Sequence, residues 1–302
     1  VAQILWHTKA INFLLISIRR ITMAIGLSNA FVSLFDAEVK QAYQAKAQLV
    51  GATRMRRGVE GEVVKFPKVG KGAATLRVPQ TDVTPLNVDF SQVTVTLQDW
   101  NAAEYSDIFM QQKVNFDERQ ELVQVLANAV GRRQDQLILD ALTASSTSLT
   151  VSNDIGGTDT NLNVAKLREA KKLMDKNNVP PTDRHMVIHA NSLASLLSET
   201  AVTSSDFNTI KALVQGEIDT FLGFNFHVLG DRTEGGLAVD GSLDRSLFAF
   251  HKQSVGYAEG IAPRTEINYV PEKTSFLVNT ILSANAVAID DEGIVKLTCR
   301  ES

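Results

Sequence analysis

The chain has 302 residues, 44% hydrophobic and 21% charged, with a formal net charge of −4. That balance excludes a disordered chain, leaves room for one large or two ordinary domains, and gives no overall basic field for holding nucleic acid. A single cysteine, Cys299, excludes an internal disulfide framework, and no apolar run reaches the ~18 residues of a membrane-spanning helix.

The N-terminal run AINFLLISIRR (10–20) is followed by its arginines, whereas a signal peptide places charge before the apolar stretch. MAIGLSNAF reads as an ordinary protein start at Met23. Residues 1–22 are therefore expected to be a leader or non-native extension, with an amphipathic arm packed on a partner as the alternative. Ser28 to Gln48 carries Phe31, Leu34, Phe35 and Val39 behind cap-forming residues, which predicts an amphipathic helix ended by Gly51.

The period changes between Thr53 and Leu97. GEVVKFPKVGKGAATLRVP offers strand-like runs with VGKG as the turn between them. Arg54, Arg56, Arg57, Lys65, Lys68, Lys71 and Arg77 lie in this stretch, opposed only by Glu60 and Glu62. The expectation is a long basic hairpin with too little apolar surface for its own core. A lone two-stranded hairpin is marginal in water, so it needs something to lie on. QVTVTLQDW (92–100) alternates as a half-buried strand.

NFDERQELVQVLANAVGRRQDQLILDAL (115–142) then predicts one long helix with a single interior glycine, Gly131, and a length of roughly 42 Å. Leu122, Leu126, Val130, Leu137 and Ile138 belong to its apolar stripe, which is interrupted near Arg132 and Arg133 and faces a charged opposite side. A polar connection near residue 150 predicts a domain boundary. Beyond it come a helix stopped by Pro180 and Pro181, a strand in RHMVIHA, a capped helix in NSLASLLSE, a further helix, a strand over 224–229, and returning strands from TEINYV onward.

Enzyme chemistry finds no site. VGKGAAT lacks the first glycine of a phosphate loop, position 65 being Lys65. His185 and His189 have helical metal-ligand spacing, but the residues between them favour a strand, which sets them about 13 Å apart. His227 and His251 show no partner pattern, Cys299 no nucleophile signature, and IDDEG (289–293) reads as a solvated turn rather than a calcium loop. No cofactor or metal is expected. The basic cluster has only Phe66 interleaved, so an acidic protein surface suits it better than specific nucleic-acid contact.

In order, FVSLFDAEVKQAYQAKAQL, VVKFPKVGKG, DWNAAEYSDIFMQQKVNFDERQEL, GRRQDQLILDAL and AVAIDDEGIVKLTC resemble the major capsid proteins of tailed double-stranded DNA phages, which have the Hong Kong 97-like fold. The resemblance implies an α+β architecture: an N-arm over 23–50, an extended loop over 51–91 lying across a neighbouring subunit, and a peripheral domain with a spine helix from 92–150 and 263–302. An axial domain would occupy 151–262. It implies self-assembly into pentamers and hexamers of an icosahedral head shell, enclosing double-stranded DNA contacted non-specifically. It further implies no membrane, assembly in the host cytoplasm, and a portal protein and decoration protein as partners. No scaffolding segment of ~100 residues precedes the arm, so a separate scaffolding protein is expected. An encapsulin-type compartment shell around an enzyme cargo is the alternative on the same fold.

Overall fold

A computed structural model of the chain describes residues 44–83, 85–113, 117–199 and 220–301. The expected leader, most of the predicted arm helix, and the helix before residue 220 lie outside the described residues. In chain order the first elements are β1 (Arg54–Arg57), β2 (Val63–Val69), β3 (Phe90–Thr96), β4 (Gln98–Asp107), α1 (Ile108–Gln111), α2 (Glu118–Ala144) and β5 (Thr150–Val151). Next come α3 (Val164–Lys176), β6 (Arg184–His189), α4 (Ala190–Ser198), β7 (Thr220–Phe221), β8 (Phe224–Leu229) and β9 (Asp244–His251). The last are β10 (Val255–Val270), β11 (Ser275–Ala288) and β12 (Ile294–Arg300).

The strands form a four-stranded sheet in the order β1-β10-β11-β4, a six-stranded sheet in the order β5-β12-β9-β6-β8-β7, and the two-stranded hairpin β2-β3. α2 lies along the four-stranded sheet, over β11, β10 and β4. Asp117 caps its first turn by accepting from the Arg119 N–H, and Glu118 and Glu121 suit the positive end of its dipole. Its 27 residues make a rod of about 40 Å. Leu126, Val130, Leu137 and Ile138 are buried against the sheet, while Leu122, nearer the helix start, is half-buried. The apolar stripe is interrupted as expected, between Val130 and Leu137, where the buried residues are Gly131, Gln134 and Asp135; the Arg133 guanidinium beside them lies 3.7 Å over the Trp100 ring and pairs with Glu234 at 2.9 Å. Gln134 crosses to the sheet and donates to the Tyr257 hydroxyl at 2.9 Å.

The six-stranded sheet has β6 near its centre, buried along its whole length. α3 presents Leu167, Ala170 and Met174, all fully buried, at helical spacing toward this core. Asn163 caps α3 by accepting from the Lys166 N–H at 2.8 Å.

Four expectations need correction. First, the predicted arm helix does not run to Gln48, because 44–48 are irregular; the Gln48 and Leu49 N–H groups bond to the Asp135 carboxylate instead of a helical carbonyl. Second, QVTVTLQDW is not one strand. It divides at Leu97, where the chain leaves the hairpin and enters the four-stranded sheet. Third, VGKG closes no hairpin: β2 pairs with β3, Val63 opposite Thr96 and Val69 opposite Phe90, so residues 70–89 form the excursion between them. Fourth, residues 263–302 do not all return to one sheet. β12 pairs with β9 and β5, and β10 enters the four-stranded sheet already at Val255, because each strand pairs where its buried face meets a core.

Candidate intersubunit surface

The hairpin is anchored on its own subunit by a small apolar cluster. Val64, Phe66 and Val95 are buried against Ala258 of β10 and against Ile289. The absence of a side chain at Gly256 makes the seat, since a Cβ there would lie 2.9 Å from the Phe66 ring. Two ion pairs add to it: Lys68 to Asp290 at 2.9 Å, and Lys71 to Glu292. Asn285 donates to the Thr96 carbonyl at 2.8 Å. The acidic turn 290–293 thus pairs with Lys68 of the hairpin and with Lys71 at the start of the excursion, a role its sequence did not announce.

The seven basic residues do not form one surface. Arg54, Arg56 and Arg57 lie on β1, paired in parallel with β10, and so belong to the body and not to the hairpin. Arg57 faces Glu259 at 3.9 Å, Arg56 donates to the Lys65 carbonyl at 3.1 Å, and Arg54 lies 5.9 Å from the Phe66 ring centre. Lys65 and Arg77 are exposed, and Arg77 sits in the excursion. The expectation of a continuous basic arm fails because RMRR finds a strand partner some two hundred residues away.

Among its polar residues the excursion leaves large apolar side chains in water: Leu76 is 94% exposed and Val83 87%, with Val78 and Leu86 also open to solvent, and Phe90, which opens β3, is 81% exposed. Large aliphatic side chains left in water on a two-stranded element lose the burial free energy of about 1.5–3 kcal/mol each that a covering surface restores. A second exposed apolar group, Tyr105, Phe109, Met110, Ile267 and Tyr269, marks the far end of the four-stranded sheet.

Among the described residues, no three His, Cys, Asp or Glu side chains group to hold a metal. His185 instead meets a partner that spacing could not reveal, His227 on the neighbouring parallel strand β8, with Nδ1 and Nε2 3.0 Å apart. Burial and then the His227 neighbour push the His185 imidazole down to about 4, and burial lowers His227 and His251 too. His189, buried, caps α4 by accepting from the Asn191 N–H at 3.3 Å. Cys299 is buried beside Lys166, and burial pushes its thiol up to about 11, which leaves it unreactive near neutral pH.

The histidine pair sets an acid limit. The unfolded chain binds protons at His185 near its ordinary pKa of about 6.5, but the folded chain refuses them until about pH 4, so stability falls as the pH drops through that window. The loss assignable to His185 reaches about 3 kcal/mol. Urea unfolding of His185→Phe with His227→Phe, measured beside the wild type from pH 7 to 4, will show the smaller acid loss in the variant. Parallel decline of the two would deny the pair this role.

A family model described as phage capsid protein matches residues 27–301. No curated protein matches the chain significantly. Solved structures do. The head structure of Helicobacter pylori bacteriophage KHP40 aligns with a TM-score of 0.72 at 11% identity, covering 88% of this chain and 95% of that one. The capsid of cyanophage P-SCSP1u gives 0.69 at 17% identity, covering 89% and 92%. Mycobacterium phage Che8 gives 0.62 at 18% identity, covering 87% and 95%. The two sheets, the long helix and the hairpin are thus a Hong Kong 97-like fold, and the chain belongs to the phage capsid protein family as a major capsid protein of the head shell.

Proposed function

We propose that copies of the chain tile a closed icosahedral shell as pentamers and hexamers, with the excursion 70–89 of each copy lying on its neighbour. The four-stranded sheet with α2 acts as the peripheral domain and the six-stranded sheet as the axial domain around the symmetry axes. The carrying observation is the exposure of Leu76, Val78, Val83 and Leu86 on an excursion that, among the described residues, enters none of the sheets. A repeated contact of this kind is heterologous: one surface meets a different surface on the next copy, and the rotation closes into rings.

The match to phage capsid proteins supports packaged double-stranded DNA over an enzyme cargo. Contact with the DNA is non-specific in this reading, and with a net charge of −4 no overall basic field strengthens it. A scaffolding protein and a portal protein are the further partners, and assembly takes place in the host cytoplasm. The chain acts as a structural subunit, with no catalytic step assigned to it.

Trypsin tests the reading. Arg77 is exposed in the single subunit. Cleavage after Arg77 will be rapid in free subunits and suppressed in shells separated by sedimentation. Equal rates in both states would remove the excursion from the contact.

A further inference from the structure

Residues 131–136 of α2 hold two other segments at once. On one side lies the irregular stretch 44–49. Gly131 lets it approach: a Cβ there would sit 3.3 Å from the Ala47 nitrogen and 3.4 Å from the Ala47 Cβ. One turn on, Asp135 is fully buried. Its carboxylate accepts from the Gln48 N–H at 3.0 and 3.2 Å and from the Leu49 N–H at 3.0 Å. On the other side lies the loop 231–236. Arg232, itself buried, donates from Nη1 to Asp135 Oδ2 at 3.1 Å. The Gly235 N–H donates to Gln136 Oε1 at 2.8 Å, and Glu234 pairs with Arg133. Gly235 has φ +73° and lies so close to the helix that a Cβ would be 2.7 Å from the Arg132 carbonyl oxygen. The loop follows β8, and its Asp231 bonds Arg245 on β9 at 3.3 Å.

We infer that Asp135 couples the seating of residues 44–49 to the docking of loop 231–236, forming a joint that connects the N-terminal segment to the six-stranded sheet through α2. A buried carboxylate is tolerated only while its oxygens are bonded. If 44–49 lifts away, two N–H donors go with it, and a buried charge is left with one guanidinium. Water entry or departure of Arg232 relieves that state, and either one loosens the loop. Thermodynamic reciprocity requires the converse: loosening the loop must loosen 44–49 by the same factor. The electrostatics agree with the geometry, since burial raises the Asp135 carboxyl while the two N–H groups and Arg232 draw it back down. The coupling is a property of the single chain. Only its use in a shell, passing a displacement of the N-terminal segment to the six-stranded sheet, rests on the proposed function.

Amide hydrogen exchange on full-length free subunits reads both ends directly and does not depend on shell formation. Gly131→Val wedges 44–49 off α2 without touching the loop. It will speed exchange at Gln48 and Leu49 by tenfold or more, and at Gly235 by a comparable factor, with the amides of β12 unchanged as the sign of an intact fold. In an Asp135→Ala background the same wedge will no longer affect Gly235. If Gly131→Val also frees β12, Arg232→Lys decides from the other end, because it weakens the shared contact and will speed exchange at Gln48 and Leu49. The inference is overturned if the wedge frees Gln48 and Leu49 while Gly235 keeps its wild-type rate, or if Arg232→Lys leaves Gln48 and Leu49 unchanged.

Discussion

Aspartate at both Leu76 and Val83 will leave the subunit folded and stop shells from closing. In the single subunit these side chains are 94% and 87% exposed. Exchanging them for charge therefore removes almost no packing, and the change in subunit stability will stay within about 0.5 kcal/mol. In the shell the cost is of another size. Each copy loses about 1.5–3 kcal/mol of apolar burial per site and must strip water from a carboxylate without a built partner, at several kcal/mol more. The contact recurs in every subunit, so the penalty multiplies across a ring.

Ile138→Asp will destroy the subunit itself. Ile138 is fully buried in the C-terminal third of α2, in the core that also holds Val255, Tyr257 and Leu282 of the four-stranded sheet. The substitution removes the burial of a large side chain and places an unpaired charge in the core, together about 5 kcal/mol or more. That is comparable with the whole stability of a typical domain, about 5–15 kcal/mol. The expected result is insoluble or unfolded protein. Ile138→Val, which removes one methylene, will cost about 0.5–1.5 kcal/mol and still form particles. Circular dichroism with urea unfolding separates the two. A soluble, cooperatively unfolding Ile138→Asp subunit would mean that this face of the helix is open to water.

The helix was legible because a 3.6-residue period is a local signal, and Leu126, Val130, Leu137 and Ile138 carry it. The strand at 184–189, the helices beside it and the turn at 291–293 were legible for the same reason, each bounded by its own punctuation. Pairing across the chain was not. Nothing local in RMRR directs it to Gly256–Glu259, and nothing in VVKFPKV selects 90–96 as its partner over the nearer GAATLRV. β12 reads like the strand before it yet joins the other sheet. Lysines and arginines are conspicuous in the sequence, yet Arg54, Arg56, Arg57, Lys68 and Lys71 are engaged within the subunit. Leu76, Val78, Val83 and Leu86 stand singly among polar neighbours, and only their exposure in three dimensions marks them. Nothing in the sequence singled out Asp135. Its burial follows from donors at residues 48, 49 and 232, which no helical period can show.

The most direct measurement is electron microscopy of wild-type and Leu76→Asp/Val83→Asp protein, expressed identically and fractionated by sedimentation, with urea midpoints taken on the free subunits. The account predicts closed particles from the wild type, only slow-sedimenting subunits or open fragments from the variant, and the same midpoint for both. Closed particles of normal size from the variant, at an unchanged midpoint, would contradict it.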